Sequence, residues 1–290
     1  MSALNRPSRM SIIAVLILFA LVGATAEEVV IPNFRGRTEE EVFAYAVLNE
    51  ALRRADPPYT IVKSERAEMT NARALAELES GAVDILWVGT SRELESRFQA
   101  IYIPITRGLL GHRLFVIHKE RQPLFDRVEG IHDLRELMGG QGTGWTDTFI
   151  LREANLRIAT AGFDDLFRLV DAGRIDYYPL GASEVYPFVS EYRNEYPNIA
   201  VEEEIVLVYR FDFLFFLNRE NQELYRDVRT GLLEMYEDGT YMKMYRSHPE
   251  ITAYLDRADI DSRRRIEIEN PIASERLLAI PDRFWMSPGE

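Results

Sequence analysis

The chain has 290 residues, a formal net charge of −13, 47% hydrophobic residues and no cysteine. The acidic balance argues against nucleic acid and anionic membrane surfaces as partners. The lack of cysteine excludes disulfides, thiolate metal sites and cysteine nucleophiles, and the four histidines contain no HExxH pair, so we expect neither a metal nor a cofactor.

The amino-terminal segment is typical of a secretory signal. Residues 1–10 carry two arginines and no acidic residue, residues 11–23 are apolar, and Ala24-Thr25-Ala26 has the small-x-small pattern of a cleavage site. We predict a cleavable signal peptide over 1–26 and a periplasmic location. The alternative is a retained membrane anchor, although the apolar run is shorter than the about 20 residues of a spanning helix.

The first part of the remaining chain alternates strands with helices. Apolar runs predict strands at 29–32, 59–63 and 83–88. Helices are predicted from a capping box at 38–41 and over 71–80. The nearly continuous apolar run at 83–88 is typical of a parallel strand that is covered on both faces.

A second set of elements follows. Further segments with the period of a strand lie at 101–105, 113–118, 156–160, 175–178, 201–208 and 212–217. Segments with the period of a helix lie at 131–137, 145–153, 163–172 and 224–236. A glycine-rich loop is predicted at 139–144, and the tail after 247 is charged and then extended.

The two sets of alternating elements predict an α/β fold with two lobes. We assign 27–115 and 210–290 to lobe one and 116–209 to lobe two. The chain would leave lobe one near 113–119 and return near 209–216. Two crossings of this kind would form a hinge with a ligand cleft between the lobes.

Several segments, in this order, resemble the family 3 periplasmic solute-binding proteins of the amino-acid-binding type. They are VDILWVGTSRELE, IPITRGLLGHRLFVIHK, GQGTGWTDTFIL, LFRLVDAGRIDYYP and FDFLFFLNRE. The resemblance runs from about residue 29 to 245. It implies a two-lobed type II periplasmic-binding-protein fold with a hinge and a central cleft, which closes around a small solute and delivers it to an inner-membrane transporter.

Two arginines are candidates for binding a ligand carboxylate. The resemblance places an arginine just before the strand that leads to the hinge, and Arg113 occupies that place. A guanidinium can meet a carboxylate with two parallel hydrogen bonds. Arg107 in the preceding loop is the rival for this role. The alternative for Arg113 is a structural ion pair with a neighbouring acid.

The segment Gly142-Thr143-Gly144-Trp145 is the second candidate. In the family that it resembles, a Gly-Thr loop opens a helix of lobe two and holds the ligand carboxylate through backbone N–H groups and the threonine hydroxyl. Free N–H groups at a helix start favour an anion. The spacing fits neither a P-loop nor GxGxxG. The alternative for Gly142 and Thr143 is a glycine-rich turn.

The remaining candidates concern the rest of a solute. Trp145 could stack on it, as could Trp87, Tyr177 and Tyr178, although such aromatics are more often core. The family places an aspartate shortly after the segment GRID to bind an α-ammonium group, but this chain has no acid there. Glu184, slightly further along, is the substitute that we predict.

These features favour a binding protein over an enzyme. The first hypothesis is a monomeric protein that captures a small polar solute, an amino acid or a related carboxylate, for an ABC-type importer. The second is a sensing module that presents its ligand to a membrane receptor such as a sensor kinase. The third is a lyase similar to cyclohexadienyl dehydratase, for which Glu184 or His112 would be the acid or base.

Overall fold

A computed structural model describes residues 27–33, 42–66 and 68–286. The predicted signal peptide at 1–26 and the predicted capping box at 38–41 lie outside these residues. Within the described part of the chain, no helix is both long and apolar enough to cross a membrane.

The strands alternate with helices along most of the chain. The strands are β1 (Glu28–Ile31), β2 (Thr60–Lys63), β3 (Ile85–Gly89), β4 (Gln99–Ile101), β5 (His112–His118), β6 (Met138–Gly142), β7 (Arg157–Ala161), β8 (Tyr177–Gly181), β9 (Ile199–Val201), β10 (Ile205–Val208), β11 (Phe213–Leu217) and β12 (Arg264–Glu267). The helices are α1 (Phe43–Arg53), α2 (Asn71–Ser80), α3 (Arg92–Arg97), α4 (Gln122–Phe125), α5 (Ile131–Leu134), α6 (Asp147–Glu153), α7 (Phe163–Asp171), α8 (Val185–Tyr192), α9 (Gln222–Glu237), α10 (Thr240–Ser247), α11 (Pro249–Arg257) and α12 (Glu275–Leu278).

Lobe one is built on the first strands and on β11. Strand β11 lies between β3 and β4 and is antiparallel to both, while β1 and β2 form a parallel pair. The start of β3 is joined to β1 because the Asp84 N–H donates to the Val30 carbonyl and the Asp84 carboxylate accepts from the Val30 N–H. Helices α1 and α9 pack closely at Gly231, where a Cβ would lie 2.4 Å from the Ala51 carbonyl oxygen.

Lobe two is built on a seven-stranded mixed sheet. Its order is β12-β10-β5-β8-β6-β7, with β9 pairing β5. Strands β6, β7 and β8 run parallel, whereas β5 is antiparallel to β8, β9 and β10. One apolar core, with Phe115, Phe125 and Tyr177, fills one face of this sheet, and the other face joins the larger core that continues into lobe one.

Two short crossovers, 102–111 and 209–212, connect the lobes and lie against each other. The Tyr209 N–H donates to the Gly111 carbonyl at 3.0 Å. A Cβ on Gly111 would lie 2.1 Å from the Tyr209 carbonyl oxygen, so only glycine fits this approach. Asp212 joins the crossovers further, because its carboxylate accepts from the N–H groups of Thr106 and Gly108.

The carboxy-terminal segment makes a third connection. Strand β12 pairs in parallel with β10 in lobe two. The chain then returns to lobe one, where the Arg92 side chain donates to the Ala273 carbonyl. Near its end, the Trp285 ring covers Gly108 in the first crossover and lies 4.3 Å from the Arg210 guanidinium in the second. The tail therefore packs across both crossovers.

The observed elements confirm most of the predicted ones. The helix predicted at 71–80 is α2, and the strand predicted at 83–88 is found at Ile85–Gly89. The predicted loop at 139–144 is wrong for its first part, since Met138–Gly142 is an inner strand of the larger sheet. The predicted strand at 201–208 is two strands, β9 and β10.

The sheets also bear on where the lobes divide. Strand β5 begins at residue 112 and pairs only with lobe-two strands among the described residues, so its sheet contacts begin just before the predicted crossing at 113–119. Strand β12, which the sequence assigned to lobe one within 210–290, pairs in the lobe-two sheet. The boundaries at 115/116 and 209/210 stay a prediction.

Candidate functional site

Arg113 lies at the centre of a buried polar cluster between the crossovers and lobe two. It is the second residue of β5 and is only 2% exposed. Its Nη2 lies 2.9 Å from Asp147 Oδ2, and its Nε donates to the Tyr209 hydroxyl at 2.7 Å. The guanidinium also lies 5.7 Å from the centre of the Phe211 ring. Arg113 therefore makes an ion pair with Asp147, which is the structural alternative to ligand binding that the sequence analysis considered.

Asp147 is held by three donors at one oxygen. It stands in the first turn of α6 and is 3% exposed. Besides Arg113, its Oδ2 accepts from Gln141 Nε2 at 2.7 Å and from the Tyr209 hydroxyl at 3.1 Å. Arg113, Tyr209 and Asp147 thus form a closed triangle of one ion pair and two hydrogen bonds, which fixes the carboxylate against the guanidinium.

The charges of the cluster stabilise one another. Burial lowers the pKa of Arg113, but its neighbours Tyr209, Asp147 and Glu184 raise it, and the net effect is a raised pKa. Burial also raises the pKa of Tyr209 well above its ordinary value. Tyr209 is therefore a neutral hydroxyl that accepts from Arg113 and donates to Asp147.

Glu184 borders this cluster. It precedes α8, and its Oε2 accepts from the Gly181 N–H at 3.1 Å. The same oxygen lies 4.0 Å from Arg113 Nη1, so the two side chains interact through their charges. The fold thus brings together two residues that the sequence named separately as ligand-binding candidates, Arg113 and Glu184.

The Gly142–Trp145 segment lies beside the cluster, with its backbone donors engaged. The Thr143 N–H donates to the Ala161 carbonyl at 2.9 Å, and the Trp145 N–H donates to the Gly142 carbonyl at 3.1 Å. Thr143 is exposed, whereas the half-buried Trp145 ring covers Gly142 so closely that a Cβ there would lie 2.3 Å from it. This turn can therefore offer a ligand the Thr143 hydroxyl and the face of the Trp145 ring, whereas the backbone N–H groups of these two residues are already bonded.

Arg107 is not brought to the same place. Its guanidinium donates to the carbonyl oxygens of Arg283 and Trp285 at 3.1 and 2.8 Å. Its own carbonyl accepts from the Met286 N–H. Arg107 therefore contacts the carboxy-terminal segment, on the side of the crossovers where Trp285 packs.

The other aromatic candidates are buried or half-buried in the two hydrophobic cores. Tyr177 packs against Phe115, with ring centres 4.8 Å apart, and belongs to the core of lobe two. Tyr178 lies on the opposite face, 6.4 Å from the Trp145 ring. Trp87 is half-buried on β3 of lobe one.

His112 lies at the start of β5, next to the crossover. Its Nδ1 is 2.9 Å from the Gly108 carbonyl oxygen, and its Nε2 is 3.3 Å from Arg265 Nη1. Burial, with a further contribution from Arg265, lowers the pKa of His112 to about 4. The imidazole is therefore neutral near pH 7 and is bound by groups of the hinge and the tail.

The two lobes meet next to the cluster. Thr146 of lobe two donates its hydroxyl to the Gly89 carbonyl of lobe one at 3.5 Å. Phe211, which is buried, fills the space beside Gly89, where a Cβ would lie 2.2 Å from its ring. The polar cluster, the Phe211 ring and the Thr146 contact together form the junction between the lobes.

Sequence reasoning missed Asp147, Gln141, Tyr209 and Phe211. Gln141 and Asp147 lie in the segment GQGTGWTDTFIL, of which only Gly142, Thr143 and Trp145 were predicted to bind a ligand. Tyr209 and Phe211 stand in the second crossover. A buried arginine requires a buried acid, and that requirement is the signal that could have pointed to Asp147.

Two surface cavities lie away from this junction. One is lined by residues of lobe one such as Glu95, Tyr102 and Arg219, and the other by residues of lobe two such as Asp164 and Tyr192. Neither is lined by Arg113, and neither joins the two lobes. In the described part of the chain, no group of three histidine or acidic side chains is arranged to hold a metal ion.

No protein-family model and no curated protein matches the chain. Solved structures do match its fold. A histidine kinase sensor domain with similarity to periplasmic binding proteins has a TM-score of 0.57 and 16% identity, and the match covers 76% of this chain and 94% of that one. An amino acid ABC transporter substrate-binding protein from Streptococcus pneumoniae, bound to L-arginine, has a TM-score of 0.53 and 14% identity, with 79% and 95% covered.

A third similar structure is an ancestral amino-acid-binding protein that is a precursor of cyclohexadienyl dehydratase. It has a TM-score of 0.55 and 16% identity, and the match covers 75% of this chain and 93% of that chain. The chain therefore has the two-lobed fold of type II periplasmic binding proteins, as the sequence predicted. These three similar structures are two amino-acid-binding proteins and a sensor domain.

Proposed function

We propose that the protein binds a small polar solute between its two lobes and presents the loaded form to a membrane partner. The observation that carries this proposal is the buried Arg113 cluster between the crossovers and lobe two, next to the contact between the lobes. Buried charges are costly unless they are paired or used. Small-molecule sites lie preferentially where two domains meet, and this cluster lies next to such a junction.

The mechanism is hinge closure. The crossovers 102–111 and 209–212 are the segments that can absorb a rotation of one lobe against the other. A solute that touches both lobes favours the closed form by the difference between its affinities for the two forms. Contacts such as that between Thr146 and Gly89 form when the lobes approach.

The solute would lie beside the exposed part of the site. Trp145 offers a half-buried aromatic face, Thr143 an exposed hydroxyl, and Glu184 a carboxylate that can meet an ammonium group. Gly142 lets the Trp145 ring lie against the backbone. Arg107 is not included, because its guanidinium is engaged by the carboxy-terminal segment.

The membrane partner is an ABC-type permease in the first form of the proposal. The similarity to a substrate-binding protein of an amino acid ABC transporter supports it. The similarity to a histidine kinase sensor domain supports the second form, in which the receptor is a sensor kinase. Both forms need the periplasmic location that the sequence of residues 1–26 predicts.

A thermal-shift screen against a metabolite library, on protein refolded to remove carried-over solute, tests the proposal. Saturation at about 100 times the dissociation constant should add about 2.7 kcal/mol to the free energy of unfolding. Trp145→Ala should weaken binding at least about tenfold, in line with the loss of one aromatic contact. Phe149→Ala is the matched control, because Phe149 lies on α6 and is 50% exposed.

The proposal fails if no solute of any class stabilises the wild-type protein, or if Trp145→Ala and Phe149→Ala bind alike. Mass spectrometry of each solute after incubation separates binding from catalysis. We expect the solute to be recovered unchanged. Turnover that Glu184→Gln abolishes would instead assign an enzyme, the third hypothesis that the sequence left open.

A further inference from the structure

We infer that Asp147 takes the place on Arg113 that a ligand carboxylate would need, so that the solute is a polar molecule without a free carboxylate, with amines favoured. This inference rests on the proposed function, since it names the class of solute for that site. It departs from the sequence-based expectation of an amino acid or related carboxylate bound by Arg113.

The Arg113 guanidinium is already occupied by side chains of the protein itself. Asp147 Oδ2 lies 2.9 Å from Nη2, and the Tyr209 hydroxyl accepts from Nε at 2.7 Å. Two adjacent donors of the guanidinium fork are therefore engaged by the protein's own side chains. With Arg113 only 2% exposed, a solute carboxylate could reach this pair of donors only by displacing Asp147 and Tyr209.

Asp147 is held in its position beside Arg113 by other side chains and by its helix. Gln141 donates to the same oxygen at 2.7 Å, and Tyr209 donates at 3.1 Å. The residue is part of α6, so its backbone is set by the helix. Displacing its carboxylate would leave these donors and a buried negative charge without compensation, which is the costly way to break a buried ion pair.

The net charge of the cluster favours a cationic solute over an anionic one. Arg113 contributes one positive charge, and Asp147 and Glu184 contribute two negative charges. The three together carry a formal charge of −1. A carboxylate that enters this region adds a second net negative charge at low dielectric, whereas an ammonium group neutralises the first. Glu184 and the Trp145 ring are the groups that suit such a cation.

Calorimetric titration with matched pairs tests the class of solute directly. Arginine and agmatine form one pair, and ornithine and putrescine form another; the members of each differ by the carboxylate. We expect the wild-type protein to bind the member without the carboxylate at least about tenfold more tightly. Asp147→Asn, which removes the charge and keeps the size of the side chain, should narrow or reverse that ratio. Equal or tighter binding of the carboxylated member by the wild type overturns the inference.

A second experiment needs no knowledge of the natural solute. Asp147→Ala should lower Tm by roughly 10 °C, because it leaves the Arg113 charge buried without its partner. Formate and acetate, compared with equal chloride, should raise the Tm of this variant and leave that of the wild type unchanged. The double variant Arg113→Met with Asp147→Ala is the control, and it should not respond.

The inference is contradicted if formate and acetate raise the Tm of Asp147→Ala by no more than they raise the Tm of the double variant. If Asp147→Ala does not fold, the same comparison of formate with chloride is made on Asp147→Ser, whose smaller side chain also leaves room for formate, against Arg113→Met with Asp147→Ser. The proposed function fails separately: in that case the wild type binds neither member of any pair nor any other solute, while formate still restores Asp147→Ala.

Discussion

The buried carboxylate of Asp212 is predicted to make the stability of the hinge depend on pH. Its Oδ2 accepts from the N–H groups of Thr106 and Gly108 at 2.8 and 2.9 Å, and its Oδ1 accepts from the Thr106 hydroxyl and the Phe213 N–H. Burial raises the pKa of Asp212 to about 6, although these hydrogen bonds act in the opposite direction.

The direction of this pH dependence follows from the difference in proton binding between the folded and the unfolded state. The folded protein holds the Asp212 proton more tightly than the unfolded chain, whose aspartate pKa is about 3.9. Between these two values the folded state binds the extra proton, so the contribution of this group to stability falls as pH rises from about 4 to 6. A shift of about two pKa units corresponds to about 3 kcal/mol.

Asp212→Asn removes the titration and keeps the size of the side chain. We expect the free energy of unfolding of the wild type, minus that of Asp212→Asn, to fall by about 2 kcal/mol between pH 4 and pH 7, because the rest of the effect lies below pH 4. Urea denaturation at each pH measures this difference. Asp126→Asn, at an exposed position, is the control and should follow the wild type. A constant difference between wild type and Asp212→Asn would refute the reasoning.

Three further predictions concern the hinge and the tail. Because the pKa of His112 is lowered to about 4, the unfolded chain binds this proton more tightly than the folded protein. The unfolding free energy of the wild type, minus that of His112→Gln, should therefore fall by about 3 kcal/mol from pH 7 to pH 4; parallel curves would contradict this. Gly111→Ala should lower the free energy of unfolding by at least about 3 kcal/mol, because its Cβ would lie 2.1 Å from the Tyr209 carbonyl oxygen. Urea denaturation measures this loss, and a loss below about 1 kcal/mol would contradict the prediction. Trp285→Ala should cost about 3–5 kcal/mol, since the ring is 8% exposed and covers Gly108; an unchanged Tm would show that the tail does not hold the crossovers.

Local sequence patterns predicted most helices and strands correctly. Helix α7 was predicted at 163–172 from its apolar face and is found at Phe163–Asp171, followed by Gly173 at a φ of 64°. Helix α9 was predicted at 224–236 and is found at Gln222–Glu237. In both helices the apolar spacing and the residues at the ends agree with the packing, so local signals suffice.

Strand β6 shows where local reading fails. Its sequence, Met138 to Gly142, contains three glycines and was predicted mainly as a loop. The glycines are needed because β6 lies in the crowded interior of the sheet: a Cβ on Gly139 would lie 2.7 Å from the Tyr177 ring, and one on Gly140 would lie 2.4 Å from Ile175. These neighbours are more than 30 residues away in sequence, so no local window contains the reason.

The same limit applies to the site. The sequence named Arg113 and Glu184 separately as ligand-binding candidates, and the fold brings them to 4.0 Å from each other. Their role in binding stays a prediction. The chemistry of Arg113, however, depends on Asp147 and Tyr209, which reach it only through the fold. The tail is a similar case, because β12 pairs with β10 from more than 50 residues away.

The distance between the two lobes, measured with and without solute, tests the central claim most directly. The chain has no cysteine, so Ala76→Cys on α2 and Ala172→Cys beside α7, both exposed, can carry two spin labels without background. Pulsed electron paramagnetic resonance then gives the distance distribution. If the protein closes around a solute, a solute found in the screen should shift the distribution to one narrower population. An unchanged distribution at saturating solute would contradict closure between the lobes.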